Sequence, residues 1–439
     1  MSFELNNFKQ TFRALEHRNY RLFFMGQGIS LVGTWMQQVA ISWLVYRMTN
    51  SVFLLGVVGF AGQIPTFIFT PFAGVIADRH SRHRILVITQ ILSMLQALLL
   101  AMLVLTGSVK IWHMIALSAF LGLVNSFDMP VRHAFTVEMI EKKEDLGNAI
   151  ALNSSMVNMA RLIGPSLAGV LIAVLGEGIC FLLNGISYIA VIISLLAMKI
   201  KKTEPKLSYP NVLYELKEGV VYALNFAPIR YILLLLALVS LMGVPYQVLM
   251  PVFAKDIFHG GPKTLGFLVT MAGVGALIGA VYLASKKSVR GLVGLIALTS
   301  GIFGLSIIVF SHSNMLWFSV IVVCISGFAM MVQMAASNTI LQTIVEEDKR
   351  GRIMSFFTMA FIGMVPFGSL MAGSLASKIG APNTLIIGGI CCMLGSAVFF
   401  RKLPSIRKKI RPIYISKGII PELTEGIGVA SELETISKK

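Results

Sequence analysis

Twelve long apolar runs, separated by short polar loops, make up most of this chain. They lie at 22–47, 52–77, 85–107, 111–128, 149–175, 178–198, 230–253, 264–285, 290–310, 315–342, 353–377 and 382–400. A helix needs about 20 mostly apolar residues to cross the hydrocarbon of a bilayer. In lipid, where no water can satisfy backbone N–H and C=O groups, helices satisfy them internally. Only 13% of the 439 residues are charged and 56% are hydrophobic, whereas a soluble domain carries about 25% charged residues. The pattern predicts an all-α, multi-pass membrane protein whose apolar surface faces lipid.

The charges orient it. On this map the N-terminus, the C-terminus and every second loop hold 31 of the 37 Lys and Arg residues, the opposite loops hold five, and Arg161 lies inside a run. Basic residues stay on the cytoplasmic side, so both termini are expected there, in a bacterial inner membrane. The net charge of +17 does not indicate nucleic acid, because the cations are spread through loops instead of gathered on one polar domain. No cleavable signal peptide is expected: the first 20 residues are polar and the following run is too long. Cys180, Cys324, Cys391 and Cys392 fall inside apolar runs, lack zinc-site spacing and read as packing residues.

The chain divides into a cytoplasmic segment (1–21), a six-helix bundle (22–198), a linker with an amphipathic stretch at 212–226 (199–229), a second six-helix bundle (230–402) and a weakly ordered basic tail (403–439). The bundles resemble each other. At a shift of 210, Ser30, Gly33, Gln37 and Gly56 match Ser240, Gly243, Gln247 and Gly266. At 205, Gly122 matches Gly327; at 204, Gly164, Gly169 and Gly185 match Gly368, Gly373 and Gly389. Two halves in parallel repeat are an arrangement of secondary transporters.

Between the second and third runs the chain reads G-V-I-A-D-R-H-S-R-H-R (74–84). Gly74, Asp78, Arg79, Arg82 and Arg84 match the signature loop of the major facilitator superfamily, with Ser81 in place of its second Gly. The stretches 22–40, N-S-F-D-M-P-V-R-H-A-F (125–135), N-A-I-A-L-N-S-S (148–155), R-L-I-G-P-S-L-A-G (161–169) and R-G-R-I-M-S (350–355) are similar to its enterobactin-exporter-like branch. The resemblance implies twelve transmembrane helices in two six-helix bundles and transport by alternating access. It also implies a latch that forms only when the cytoplasmic side is closed: Asp78 capping the start of the eleventh helix near Ser355, and Arg82 bridging Asp78 to Asp128. A carboxylate suits a helix N-terminus. The bland reading of the same loop is topological.

In the first run Gln27, Ser30, Thr34, Gln38 and Ser42 share one stripe, with Gln37 beside it. The stripe either lines a substrate path or hydrogen-bonds between helices. Gln37 and Gln247, related by the repeat, together with Tyr246 and Asn125, complete the lining candidates. Pro245 and Pro251 mark a bend. Arg161 sits with Ser154 and Asn158 on one face. A charge inside a span is a functional candidate, binding an anionic substrate or serving as a structural cation. Gly164, Pro165 and Gly169 resemble an exporter motif and also permit close helix packing.

No G-x-x-x-x-G-K-[ST] is present, so ATP is not the direct driver. Neither an enzyme site, a metal site nor a cofactor is expected. The expectation is a monomeric secondary transporter that uses the proton gradient to export a small amphipathic molecule: a siderophore, a drug or a metabolite. The alternatives are lysophospholipid movement between leaflets and a non-transporting receptor or scaffold.

Overall fold

The computed structural model describes residues 12–199, 221–286 and 288–419, so the linker stretch at 212–220 and the tail from 420 onward lie outside it. After a short 3-10 turn, the helices of the first half are α1 (Arg18–Thr49), α2 (Val52–Arg79), α3 (Arg82–Leu105), α4 (Ile111–Glu138), α5 (Leu146–Leu175) and α6 (Glu177–Leu196). The second half holds α7 (Ala227–Met242), α8 (Tyr246–Val252), α9 (Pro262–Ala284), α10 (Leu292–His312), α11 (Leu316–Ile344), α12 (Glu347–Phe361), α13 (Val365–Ile379) and α14 (Ala381–Ser416). Among the described residues, eleven segments are long and apolar enough to cross a membrane. The 32-residue α1 is not one of them.

Two crossings are interrupted. Residues 243–245 separate α7 from α8, and five π-helical residues, Phe253–Ile257, follow Pro251. Both lie where the prolines predict a bend, since a proline has no N–H to donate and its ring crowds the preceding turn. Residues 362–364 separate α12 from α13 in the same way, ahead of Pro366.

The sequence repeat reappears as packing. In the first half α2 lies along α4; in the second, α9 lies along α11. A methyl group on Gly122 would stand 2.4 Å from the Gly62 carbonyl oxygen, and one on the repeat-related Gly327 would stand 2.0 Å from that of Ala272. The halves meet through a second related pair, α2 against α13 and α5 against α9. Here a methyl on Gly56 would lie 2.9 Å from Gly373 Cα, and one on Gly266 2.9 Å from Gly169 Cα. Gly56 and Gly266 are repeat mates, as are Gly169 and Gly373, so one backbone contact is made twice. Small residues let helices approach this closely.

One end of the molecule carries the basic loops after α2, α4 and α11; the other carries the turns after α1, α3 and α5. These are called the basic end and the sparse end. At the basic end Asp145, just before α5, accepts from His17 and pairs with Arg13 at 2.7 Å. The His17 hydrogen bond, aided by Arg13, holds its carboxyl below the usual carboxylate range.

The tail departs from expectation. α14 continues through the basic stretch to Ser416, so 403–416 is ordered helix. Leu403, Ile406, Ile410 and Tyr414 recur at helical spacing, are buried and join the core with Leu292 and Ile344. Lys417 Nζ donates to the Thr343 carbonyl at 2.7 Å. Each buried side chain contributes up to about 1.5–3 kcal/mol. Truncation after Lys402 is therefore expected to lower the melting temperature in detergent clearly.

Candidate functional site

Two adjoining cavities lie between the halves. The central one, about 470 Å³, is lined by Thr34, Gln37, Gln38, Asn125, Arg161 and Gln247 among others. The other, about 650 Å³, runs from Arg161 past Asn158, Ser154 and Asn153 to His133, Val137 and Ile150. It reaches the basic end, where Val137 is 54% and Ile150 58% exposed. Arg161 and Phe361 belong to both cavities. The interrupted crossings border the centre through Val244, Gln247, Phe361, Ile362 and Val365.

At the sparse end the halves are shut. Beyond the two glycine contacts, Ser166 Oγ and Thr270 Oγ1 are 2.7 Å apart, between α5 and α9. Tyr46 donates to Asp256, and Lys255 Nζ donates to Asn50 Oδ1 at 2.6 Å while lying over the Tyr46 ring. Midway along the helices, beside the 362–364 break, Phe67 of α2 meets Phe367 of α13 edge to face, with ring centres 5.5 Å apart. The cavities are thus open at the basic end and closed at the other.

Six of the eight lining candidates reach the central cavity. Gln27 and Tyr246 do not. Gln27 is 3% exposed. Tyr246 is 1% exposed and packs edge to face on Phe303. For Gln37 both readings apply, since it touches the cavity but is 4% exposed and bonded between helices. Asn184 Nδ2 donates to its Oε1 at 2.8 Å, its Nε2 donates to Gln96 Oε1 at 3.0 Å, and Gln96 donates to the Leu117 carbonyl. That chain ties α6, α1, α3 and α4 together and leaves Gln37 little freedom to turn toward a ligand.

At the loop after α2, Arg82 does not pair with Asp128, a contact the resemblance implies only for a closed cytoplasmic side. Arg82 Nη1 donates to Glu138 Oε1 at 2.7 Å, so Glu138 stands where the resemblance implies Asp128. Asp128 is buried and committed elsewhere: Oδ1 accepts from Thr89 at 2.8 Å and Gln90 at 2.7 Å, and Oδ2 from Arg132. Arg132 is therefore helical, a residue the sequence reading assigned to a loop. The side chains of Asp78 and Arg79, and the surroundings of Gly74, lie outside the described residues.

Gly164, Pro165 and Gly169 serve two contacts. A methyl on Gly164 would meet Trp35 Cβ at 2.5 Å within the first half. Gly169 and the Pro165 carbonyl face Gly266 in the second half.

Arg161 contacts the Trp35 ring, 5.6 Å from its centroid. Among the described residues it has no hydrogen-bonding or ion-pair partner. Among the cavity residues that sequence reasoning missed are His133 and the trio Met330, Met331 and Met334. The M-M-x-x-M spacing was visible, but on an apolar helix it does not stand out from core.

The sequence pattern of the family described as transmembrane secretion effector matches residues 9–414. The staphyloferrin A transporter of Staphylococcus aureus (strain NCTC 8325 / PS 47) is 27% identical over 384 residues, covering 87% of this chain and 95% of that one. The multidrug efflux pump Tap of Mycolicibacterium fortuitum is 27% identical over 398 residues, covering 87% and 93%. A bacterial homologue of the human lysosomal transporter Spinster, inward-facing and occupied, superposes with a TM-score of 0.70 at 13% identity, over 90% of this chain and 98% of that one. A bacterial homologue of the iron transporter ferroportin, inward-facing, gives 0.65 at 17% identity, over 88% and 98%. At such identities the likeness speaks for the fold alone.

Macrolide efflux protein A of Streptococcus pyogenes is 21% identical over 403 residues, covering 90% of this chain and 98% of that one. These relatives are membrane transporters, two of them efflux proteins, and not enzymes. With a family pattern that runs from before α1 into the last turns of α14, this chain belongs to the transmembrane secretion effector family of the major facilitator superfamily.

Proposed function

We propose that this transporter is a proton-driven exporter of small amphipathic molecules in a bacterial inner membrane, working by alternating access. In this reading α1 completes twelve crossings in two six-helix bundles, and the basic end, with both termini, faces the cytoplasm. One observation carries it: the cavity between the halves opens at the basic end and is shut at the sparse end. Substrate then enters from the cytoplasm and leaves when the contacts among Gly56, Gly373, Gly169 and Gly266 part. The asymmetry of basic loops supports the orientation. The siderophore, macrolide and multidrug substrates in the names of relatives support the substrate class. The absence of a phosphate-binding loop favours an ion gradient over ATP.

The test uses the full chain reconstituted in inside-out vesicles with an acidic lumen. A panel of carboxylate siderophores, macrolides and fluorescent dyes is offered outside. At least one compound is expected to accumulate, and a protonophore should abolish its accumulation. Accumulation that survives the protonophore would reject proton coupling. Failure of the whole panel in vesicles that hold correctly folded protein would reject this substrate class.

A further inference from the structure

The described lining of the two cavities contains Arg161 and His133 but no aspartate or glutamate. Arg132, next to His133 on α4, has its countercharge in Asp128. Arg161 has none among the described residues, and its guanidinium lies over the face of Trp35. A guanidinium presents a planar fork of donors that matches a carboxylate, sulfonate or phosphate in bidentate fashion.

The opposite wall has other chemistry. Met330, Met331 and Met334 of α11 face the same 650 Å³ space, with Phe361. Methionine is unbranched and polarizable, and adapts to apolar shapes of different outline. The two walls also come from different halves of the chain: Arg161, Asn158 and Ser154 from α5, the methionines from α11. A volume of this size suits a ligand of a few hundred daltons.

We propose that the cavity binds amphipathic anions. The anionic head lies on Arg161, in reach of Asn158 and Ser154, and the apolar body lies on Met330, Met331 and Met334. This deepens the export reading and rests on it for the ligand's fate, but not for its binding. A ligand held at both ends bridges the two halves. A headless apolar molecule, or a small anion without a body, engages one wall only.

Binding is measured on purified full-length protein in nanodiscs. The probes are matched pairs that differ only in charge: 2-naphthoate with 2-naphthamide, and 1-pyrenebutyrate with 1-pyrenebutyramide. Quenching of tryptophan fluorescence and ligand-induced rise in melting temperature are the readouts. Each acid is expected to bind about tenfold or more tighter than its amide, in line with one charge-assisted bidentate contact. Arg161→Gln should remove that preference while leaving the amide's affinity and the ligand-free melting temperature near wild type. Arg161→Lys should restore part of the preference. Met331→Gln with Met334→Gln should weaken acid and amide alike, more for pyrene than for naphthalene.

Equal binding of acid and amide by the wild type, or no binding of either, overturns the proposal. So does a fall in ligand-free melting temperature in Arg161→Gln with the acid preference intact, which would make Arg161 a structural cation. Selective binding of the acids without flux in vesicles would uphold this site and reject export. Flux of other compounds with no acid preference would do the reverse.

Discussion

The double substitution Gly56→Ala, Gly266→Ala is expected to turn a transporter closed at its sparse end into one open there. The added methyl groups would sit 2.6 Å from the Ser369 carbonyl oxygen and 2.5 Å from that of Pro165. Both oxygens belong to the opposite half, so the clash exists only while the halves touch. Overpacking costs about 1–3 kcal/mol per site, or roughly 2–6 kcal/mol for the pair. About 5.5 kcal/mol suffices to move an equilibrium from 1:99 to 99:1. Alanine also favours a helix over glycine by about 1 kcal/mol, but it does so in both conformations and cancels from the difference. Spin labels at Ser108→Cys and Asn314→Cys, after replacement of the four native cysteines, report the separation of the sparse-end loops. The longer distance should dominate in the variant. An unchanged distance distribution in a folded variant would show that these contacts do not hold the end shut.

Gly275→Ala is expected to act differently, on every conformation at once. A methyl there would stand 1.8 Å from the Cys324 carbonyl oxygen. Both residues belong to the second half, where α9 lies along α11, and rigid rocking of the halves gives no relief. The helix-propensity gain of about 1 kcal/mol is outweighed, because two backbones must separate by more than an ångström. A cost at or above the usual 3 kcal/mol ceiling for overpacking follows. Detergent-solubilised protein should show a large drop in melting temperature and in monodisperse yield. Near-wild-type stability would mean that α9 and α11 can slide apart. The contrast between the two substitutions separates contacts that hold a conformation from contacts that hold the fold.

The fold was legible because membrane helices are written in long apolar runs, which a single sequence displays directly. The repeat was legible too: Gly56 with Gly266, and Gly169 with Gly373, were paired by sequence offset alone. That these four residues touch across the halves was not, since an offset relates equivalent positions and says nothing about which of them meet. The Glu138 partner of Arg82 was hidden for a related reason. α4 runs on to Glu138, ten residues and about 15 Å of helix beyond Asp128, and its apolar run gave no sign of the extension. Asp128 then took Arg132 one turn away. Tyr246 was misplaced because a bend at Pro245 decides which way the following residues point. The tail misled differently: its cations masked the i, i+3, i+7, i+11 spacing of Leu403, Ile406, Ile410 and Tyr414, which was in plain view.

The interruptions at 243–245 and 362–364 have no counterpart in α1 and α5, the continuous helices at the equivalent places in the first half. The duplicated halves are therefore unequal in stiffness. One is a block of unbroken rods cross-tied through Gln37 and Gln96; the other contains two articulated members. Bending should be taken up mainly by the second half, while the first serves as its anvil. Substitutions near Pro245 or Gly363 can retune the speed of the cycle without touching a ligand, a route by which close relatives could keep the same cargo and differ in turnover.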